Sequence, residues 1–422
     1  MSFIIKFFRA LLVLLVCACK LAPAVALTLR EAETLLVEKN RDIQAARLAF
    51  ESTEAGVLVA NARINPNLSV QNTGISFRNG IGSGRLTEKI VDTTIRLDQV
   101  VERGGKRQLR SDAAEKLARA AEQDVADALR AQRLALRQAY FDLKLAQEKL
   151  AVARDFTGLS EKSLHATELR LKVGDISVSD AARLRVDAMR AQNDLRSAKA
   201  DLVRAQFVLA SLIAAEDAAT GLEASDAWPQ GTVFEQSQRS QRDDEIDSRP
   251  DVRAAALRVA AAEANSKLAL ALKSRDITVG VQYEHFPENG GNTWGVGISI
   301  PLFVAYGYEG EIRRAENDWH AARDALQKAR ALAGAETART RSDIEAANER
   351  IERFRGSLLT EAKRAADAAE FAFQKGAVGV LELLDARRTF KSIQLEAANA
   401  EADFAKALAA WFASLSFDME LQ

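Results

Sequence analysis

The chain is poor in cysteine, histidine and proline. Its two cysteines, Cys17 and Cys19, both lie near the start, so a protein cleaved after Ala26 keeps no thiol, no disulfide and no thiolate metal site. The three histidines, His165, His285 and His320, each lack a second histidine or cysteine at i+3 or i+4, so no metal site is expected and all three are read as surface or lumen residues. Charge of either sign is not in excess. With a net charge of -1 over 422 residues there is no basic field to hold a polyphosphate backbone, and nucleic acid is not an expected partner. Beyond the first residues no stretch approaches about 18 uninterrupted apolar residues, so no membrane-spanning helix is expected. No nucleophile and base pair stands out either. Gly80-Ile81-Gly82-Ser83-Gly84 sits between strands rather than between a strand and a helix, so it is not a dinucleotide fingerprint. Gly104-Gly105-Lys106-Arg107 lacks the spacing and hydroxyl of a phosphate loop. Neither an enzyme nor a resident cofactor is expected.

The N-terminus does carry a pattern. Lys6 and Arg9 precede an apolar run from Ala10 to Ala18, and Ala24-Val25-Ala26 fits the small-residue signature read by a signal peptidase. Residues 1–26 are therefore read as a secretion signal. Lipid attachment at Cys19, after Val16-Cys17-Ala18, is the alternative.

The rest is a duplication. At an offset of about 209 residues, Asp42-Ile43-Gln44-Ala45-Ala46-Arg47-Leu48 falls on Asp251-Val252-Arg253-Ala254-Ala255-Ala256-Leu257, and Leu68-Ser69-Val70 falls on Ile277-Thr278-Val279. Further on, Lys172-Val173-Gly174 meets Gln374-Lys375-Gly376. The expected organisation is a first repeat at 27–221, with a β-hairpin at 66–101 and a helical tip at 174–180; a linker at 222–248; a second repeat at 249–416, with a hairpin at 276–303 and a tip at 376–382; and a tail at 417–422. The six prolines mark the joints of this plan, because proline inside a helix loses a hydrogen bond and clashes with the previous turn. Between Pro66 and Pro229, and from Pro301 onward, the chain is rich in Ala, Leu, Glu, Arg, Lys and Gln, the strongest helix formers. Ala139, Leu143, Ala146 and Leu150 form a 3,4-spaced stripe as in coiled coils. A single helix from Lys106 to Lys172 would be on the order of 100 Å long, far beyond a globular domain. Gly158 and Gly356 are the positions at which either copy could bend, each costing about 1 kcal/mol against alanine.

Each repeat also holds segments of period 2. Val91, Thr93, Ile95 and Leu97 alternate with Asp92, Thr94, Arg96 and Asp98; Ile277, Val279, Val281 and Tyr283 with Thr278, Gly280, Gln282 and Glu284; Trp294, Val296, Ile298 and Ile300 with Gly295, Gly297 and Ser299. Their turns, Asn79 to Gly84 and Asn289 to Asn292, are glycine-rich. The strands approach the roughly 9 to 11 residues that a tilted strand needs to cross a bilayer, with an apolar band outside and a polar lumen. A half-buried sheet packed on a helix would read the same over one hairpin. The secretion signal, and the placement of both hairpins at equivalent points of a duplication, favour the membrane. Four strands cannot close a barrel, because edge backbone groups would face hydrocarbon unpaired at several kcal/mol each; three copies give a twelve-stranded barrel with a lumen.

At these residues the chain resembles the outer membrane efflux protein family, whose members include the channels of drug, protein and heavy-metal exporters. The resemblance rests on the duplicated helix-strand-strand-helix-helix unit, on Asn65-Pro66-Asn67-Leu68 opening the first strand, and on the run from Leu97 to Arg107 closing the second. Ile300-Pro301-Leu302-Phe303 holds the corresponding exit in the second copy. The resemblance implies a mainly α fold with a small β part: duplicated long helical hairpins and four transmembrane strands per protomer, forming a homotrimeric β-barrel in the outer membrane and a periplasmic α-barrel. It implies as partners a periplasmic adaptor, an inner-membrane transporter of the RND type and outer-membrane lipid. The strand entry and exit look most like the cobalt-zinc-cadmium and nickel-cobalt resistance subgroup. By the same resemblance the hairpins turn at Gly174 and Gly376, and Asp180, Glu382 and Asp385 match acidic rings that constrict the pore and favour cations. The tyrosine and arginine that lock the gate in some members are here Phe373 and Val378, which implies a different closing contact.

Three rival functions stay open at this level. One is the same fold serving drug efflux or type I secretion, the second is a periplasmic adaptor, and the weakest is an enzyme on a helical scaffold.

Overall fold

In a computed structural model, residues 25–75, 77–78, 80–85, 88–231, 245–287 and 291–415 are described. Most of the expected leader, both cysteines, parts of the two strand turns, residues 232–244 of the linker and the C-terminal tail lie outside them. Among the described residues no helix is long and apolar enough to cross a membrane.

The order of elements repeats. Helix α1 (Leu29–Lys39) and α2 (Arg41–Asn61) lead into strands β2 (Asn67–Thr73) and β3 (Asp92–Val101), then the long helix α3 (Lys106–Lys172) and its return α4 (Val178–Leu212). The second pass is α5 (Pro250–Ala271), β5 (Ile277–Phe286), β6 (Gly291–Ser299), α6 (Glu309–Arg353), α7 (Leu359–Gln374) and α8 (Val380–Leu415). Two short strands, β1 (Val25–Leu27) and β4 (Leu222–Ala224), stand outside this pattern and pair with each other in parallel. Gly158 sits inside the unbroken α3, whereas Gly356 falls in a π-helical turn, Phe354–Leu358, that separates α6 from α7. Only the second copy therefore departs from a continuous α-helix.

Local chemistry sets the boundaries. Thr28 and Glu31 form a reciprocal capping box at the start of α1. Asn40 ends α1 and starts α2 with one side chain, its Oδ1 accepting from the backbone N–H groups of Asp42 at 3.0 Å and Ile43 at 3.1 Å. Its Nδ2 donates to Leu212 O at 2.9 Å, which pins the end of α4 as well.

The chain divides into two compact units, residues 1–44, 128–245 and 333–422, and residues 45–127 and 246–332. In the first, Leu36, Ile43, Leu136, Tyr140, Leu143, Leu209 and Ile213 form a core that includes Leu27 of β1 and Leu222 of β4. A second cluster joins Ile344 and Ile351 of α6 to Phe404, Leu408, Trp411 and Phe412 of α8. The second unit contains the four-stranded antiparallel sheet, in the order β2-β3-β5-β6.

Candidate functional site

The sheet separates two chemistries by pure alternation. On one face, Leu68, Leu97, Val281 and Val296 line up across the four strands, and Val70, Ile95, Tyr283 and Trp294 form the next row. This face is bare: Trp294 is 77%, Val296 85% and Ile298 72% exposed. A contiguous apolar surface of this kind marks contact with lipid or protein. Among the described residues β2 pairs only with β3 and β6 only with β5, so both edges of the sheet are open.

The apolar band stops at a polar row. Thr93 Oγ1 donates to Asn72 Oδ1 at 2.8 Å, and His285 Nδ1 lies 3.0 Å from Asn292 Oδ1, which also accepts from the Tyr283 hydroxyl at 2.7 Å. Tyr283 and Trp294 lie side by side, ring centres 5.4 Å apart, next to this row. His285 thus corrects the sequence expectation: it is buried on the apolar side, 4% exposed, rather than on the surface or in the lumen. Alternation puts it on the same face as Tyr283, and the hydrogen bond to Asn292 explains why an imidazole is tolerated there. His165 and His320 are exposed, the latter against the Trp319 ring. Among the described residues no three His, Cys, Asp or Glu side chains gather as a metal-binding group.

On the opposite face the residues are polar or small: Ser69, Arg96, Gln282 and Gly295 in one row, Asn67, Asp98, Gly280 and Gly297 in the next. The strand exits are tied to the flanking helices. Arg103 N–H and Lys106 Nζ both donate to Asp276 Oδ1 at 2.9 Å, and Arg110 Nη1 donates to Glu102 at 2.7 Å and its Nε to Ala60 O at 2.8 Å. Gly104, at φ +72°, passes so close to Ser274 that a Cβ would stand 2.7 Å away. The Gly-Gly-Lys-Arg exit is thus a joint between strand and helix.

The helical tips repeat one motif. At the end of α3, Gly174 has φ +77° and Asp175 N–H donates to Arg170 O at 2.9 Å; at the end of α7, Gly376 has φ +72° and Ala377 N–H donates to Ala372 O at 2.8 Å. Both are the left-handed glycine cap that reverses a helix while satisfying its last carbonyls.

Beyond the tips the expected acidic residues part company. Asp180 is held locally: its carboxylate accepts from Ser177 Oγ at 2.7 Å and Arg183 Nη1 at 3.1 Å, inside the N-terminal turn of α4. Glu382 and Asp385, one turn apart on α8, are exposed, and neither makes a hydrogen bond or ion pair among the described residues. Phe373 packs with Ile176 against Leu184, Val380 and Leu384, so the two hairpins meet near their tips through an apolar plug.

Sequence reasoning missed the polar ties above this plug. Arg387, buried on α8, donates through Nε to Glu370 at 2.9 Å and through Nη2 to Ser163 of α3 at 2.7 Å. Next to it Arg388 lies 3.6 Å from Asp187, which also accepts from Ser160 Oγ at 3.1 Å. The legible signal was Arg387 itself, a charge in the helical stripe begun by Val380, Leu383 and Leu384.

The sequence matches the family described as Outer membrane efflux protein over residues 34–215 and 242–415. It is 26% identical over 370 residues to the cobalt-zinc-cadmium resistance protein CzcC of Cupriavidus metallidurans, covering 86% of this chain and 84% of that one. It is 25% identical over 374 residues to the probable outer membrane lipoprotein SilC of Salmonella typhimurium, covering 85% and 79%. The fold is shared with the outer membrane protein VceC of Vibrio cholerae, at a TM-score of 0.75 and 18% identity over 92% of this chain and 95% of that one.

Proposed function

The chain belongs to the outer membrane efflux protein family, and from that premise we propose that it is the exit duct of a three-part pump that expels divalent heavy-metal cations such as cobalt, zinc, cadmium or nickel. Outer-membrane location and the role of an efflux channel come with the family; the cargo and the assembly are the proposal.

One observation carries the assembly: a four-stranded sheet with a bare apolar face and two open edges. In hydrocarbon each unpaired edge group would cost several kcal/mol, so the edges must pair with other copies, and three copies close a barrel wide enough for a lumen. The apolar face then meets lipid and the polar face lines the pore. The metal cargo is supported by the similarity to a cobalt-zinc-cadmium resistance protein and by the Gly-Gly-Lys-Arg strand exit. Metal choice would rest with the inner-membrane RND transporter, joined to this duct by a periplasmic adaptor at the helical tips.

At the tips, three-fold symmetry turns Glu382 and Asp385 into acidic rings that draw cations. Asp180, engaged by Ser177 and Arg183, contributes less field. The Glu382→Ala, Asp385→Ala double variant is expected to raise leak and to lower the cation-over-anion permeability ratio about twofold or more in planar bilayers; unchanged conductance and selectivity would refute the role of the rings. Deleting the gene should raise sensitivity to divalent cobalt, zinc, cadmium or nickel, and plasmid-borne protein should restore growth. A deletion strain sensitive to drugs alone would move the cargo to another class.

A further inference from the structure

Arg96 is the one cation in the central rows of the sheet's polar face, and the structure surrounds it in a way that alternation alone does not require. Its Nε donates to both carboxylate oxygens of Asp98, each at 2.9 Å, and its Nη1 donates to Gln282 Oε1 at 3.2 Å across the β3–β5 pair. Gln282 in turn donates to Glu284 Oε1 at 3.0 Å. Glycines make room for this chain of contacts. A Cβ at Gly280 would run into the Asp98 carboxylate and come within 3.0 Å of Arg96 Nη2, and one at Gly295 would stand 3.0 Å from Gln282 Cγ. At Gly297 a Cβ would touch Arg96 Nη2 at 3.6 Å. The guanidinium therefore lies flat along the strands instead of projecting from them.

An arginine facing lipid at mid-depth would cost about 2–4 kcal/mol, and the bare apolar face already takes that role, so this face lines the lumen. A projecting arginine repeated by three-fold symmetry would place a cationic ring in the path of a cation. Here the same charge is laid down on glycine and set against two carboxylates, so the cluster carries net negative charge. We propose that Arg96, Asp98, Gln282 and Glu284 form a second charge filter inside the β-barrel, separate from the helical tips, which keeps the barrel open to cations. The inference rests on the channel reading above.

Reversal potentials under a salt gradient test it, measured at low ionic strength so that screening does not hide fixed charge. They are read for the full-length chain and again in the Glu382→Ala, Asp385→Ala background, where the tips no longer set selectivity. Arg96→Gln should raise the cation-over-anion permeability ratio and Asp98→Asn should lower it, each by about twofold or more. Arg96→Lys, which keeps the charge, should leave the ratio at its wild-type value, and if Arg96→Gln fails to assemble the fall expected for Asp98→Asn carries the test. Migration as a heat-dissociable trimer checks folding of each variant. Conducting trimers in which Arg96→Gln and Asp98→Asn both retain the parent ratio, or Arg96→Lys shifts it as Arg96→Gln does, overturn the filter and leave the channel standing. A wild-type chain that never conducts overturns the channel reading, and the filter with it.

Discussion

One buried hydroxyl holds the start of the described chain. Tyr140 Oη donates to Leu27 O at 2.9 Å and accepts from the backbone N–H groups of Ser225 and Asp226, each at 3.1 Å, so a single side chain on α3 joins β1 to the segment after β4. Burial pushes its pKa up to about 12, because the phenolate would lose water there, although the donated N–H bonds pull the other way. The neutral phenol is the favoured form in the folded chain. Its contribution is therefore complete below the ordinary tyrosine value near 10 and is lost as pH rises from there towards about 12. Tyr140→Phe is expected to cost about 1–3 kcal/mol by leaving these backbone groups unpaired, and to remove that part of the alkaline loss of stability; thermal unfolding from pH 8 to 12 in both proteins checks it. Nothing in the sequence singled out Tyr140, since an aromatic beside the apolar stripe at Ala139 reads as ordinary core. Its importance depends on segments more than eighty residues away. Arg96 was legible as a polar-face residue by alternation, but its flat conformation was not, because that depends on glycines from two other strands arriving in register.

Among the elements, the duplication gives a controlled comparison of glycines. Gly174 and Gly376 occupy left-handed caps, at φ +77° and +72°, and alanine at either should destabilise by about 1–2 kcal/mol because its Cβ crowds the following carbonyl. Gly158 lies within a regular helix with nothing inside 4 Å of its missing Cβ, so Gly158→Ala should stabilise by up to about 1 kcal/mol. Melting temperatures of the three single variants decide it: two falls and one rise are expected, and a fall for Gly158→Ala would show that α3 uses that glycine to flex. Composition alone put the glycines at 158 and 356 on an equal footing, yet only the second sits in a π-turn. The strand β1 bears on processing of the leader. Val25 and Ala26 pair with Leu222 and Glu223, so cleavage after Ala26 would leave Leu27 as the sole residue of that strand. We expect the mature protein to retain both residues, through a cut further upstream; its intact mass tests this, and a chain beginning at Leu27 would show the pairing to be dispensable. The small-residue pattern at Ala24-Val25-Ala26 was readable, but a parallel partner nearly two hundred residues away was not.

At the scale of the whole molecule, the outer strands of the sheet are open on one side each among the described residues, and the proposed channel requires other copies to close them. Detergent-extracted outer membranes should yield the protein as a trimer by native mass measurement; a water-soluble monomer in the periplasmic fraction would remove the barrel and the duct together. What the sequence determined by itself was the repeated element order, the room for a long helix at α3, the tip glycines and the two faces of each strand, because these follow from short-range rules: helix propensity, proline exclusion, left-handed backbone and a period of 2. Tertiary structure alone decided that His285 is buried and that Arg387 ties two hairpins. It also decided that Arg96 lies down over glycine rather than projecting from the polar face of the sheet. Each of these depends on which distant backbone or side chain comes within about 3 Å, and periodicity along one strand or helix holds no information about that.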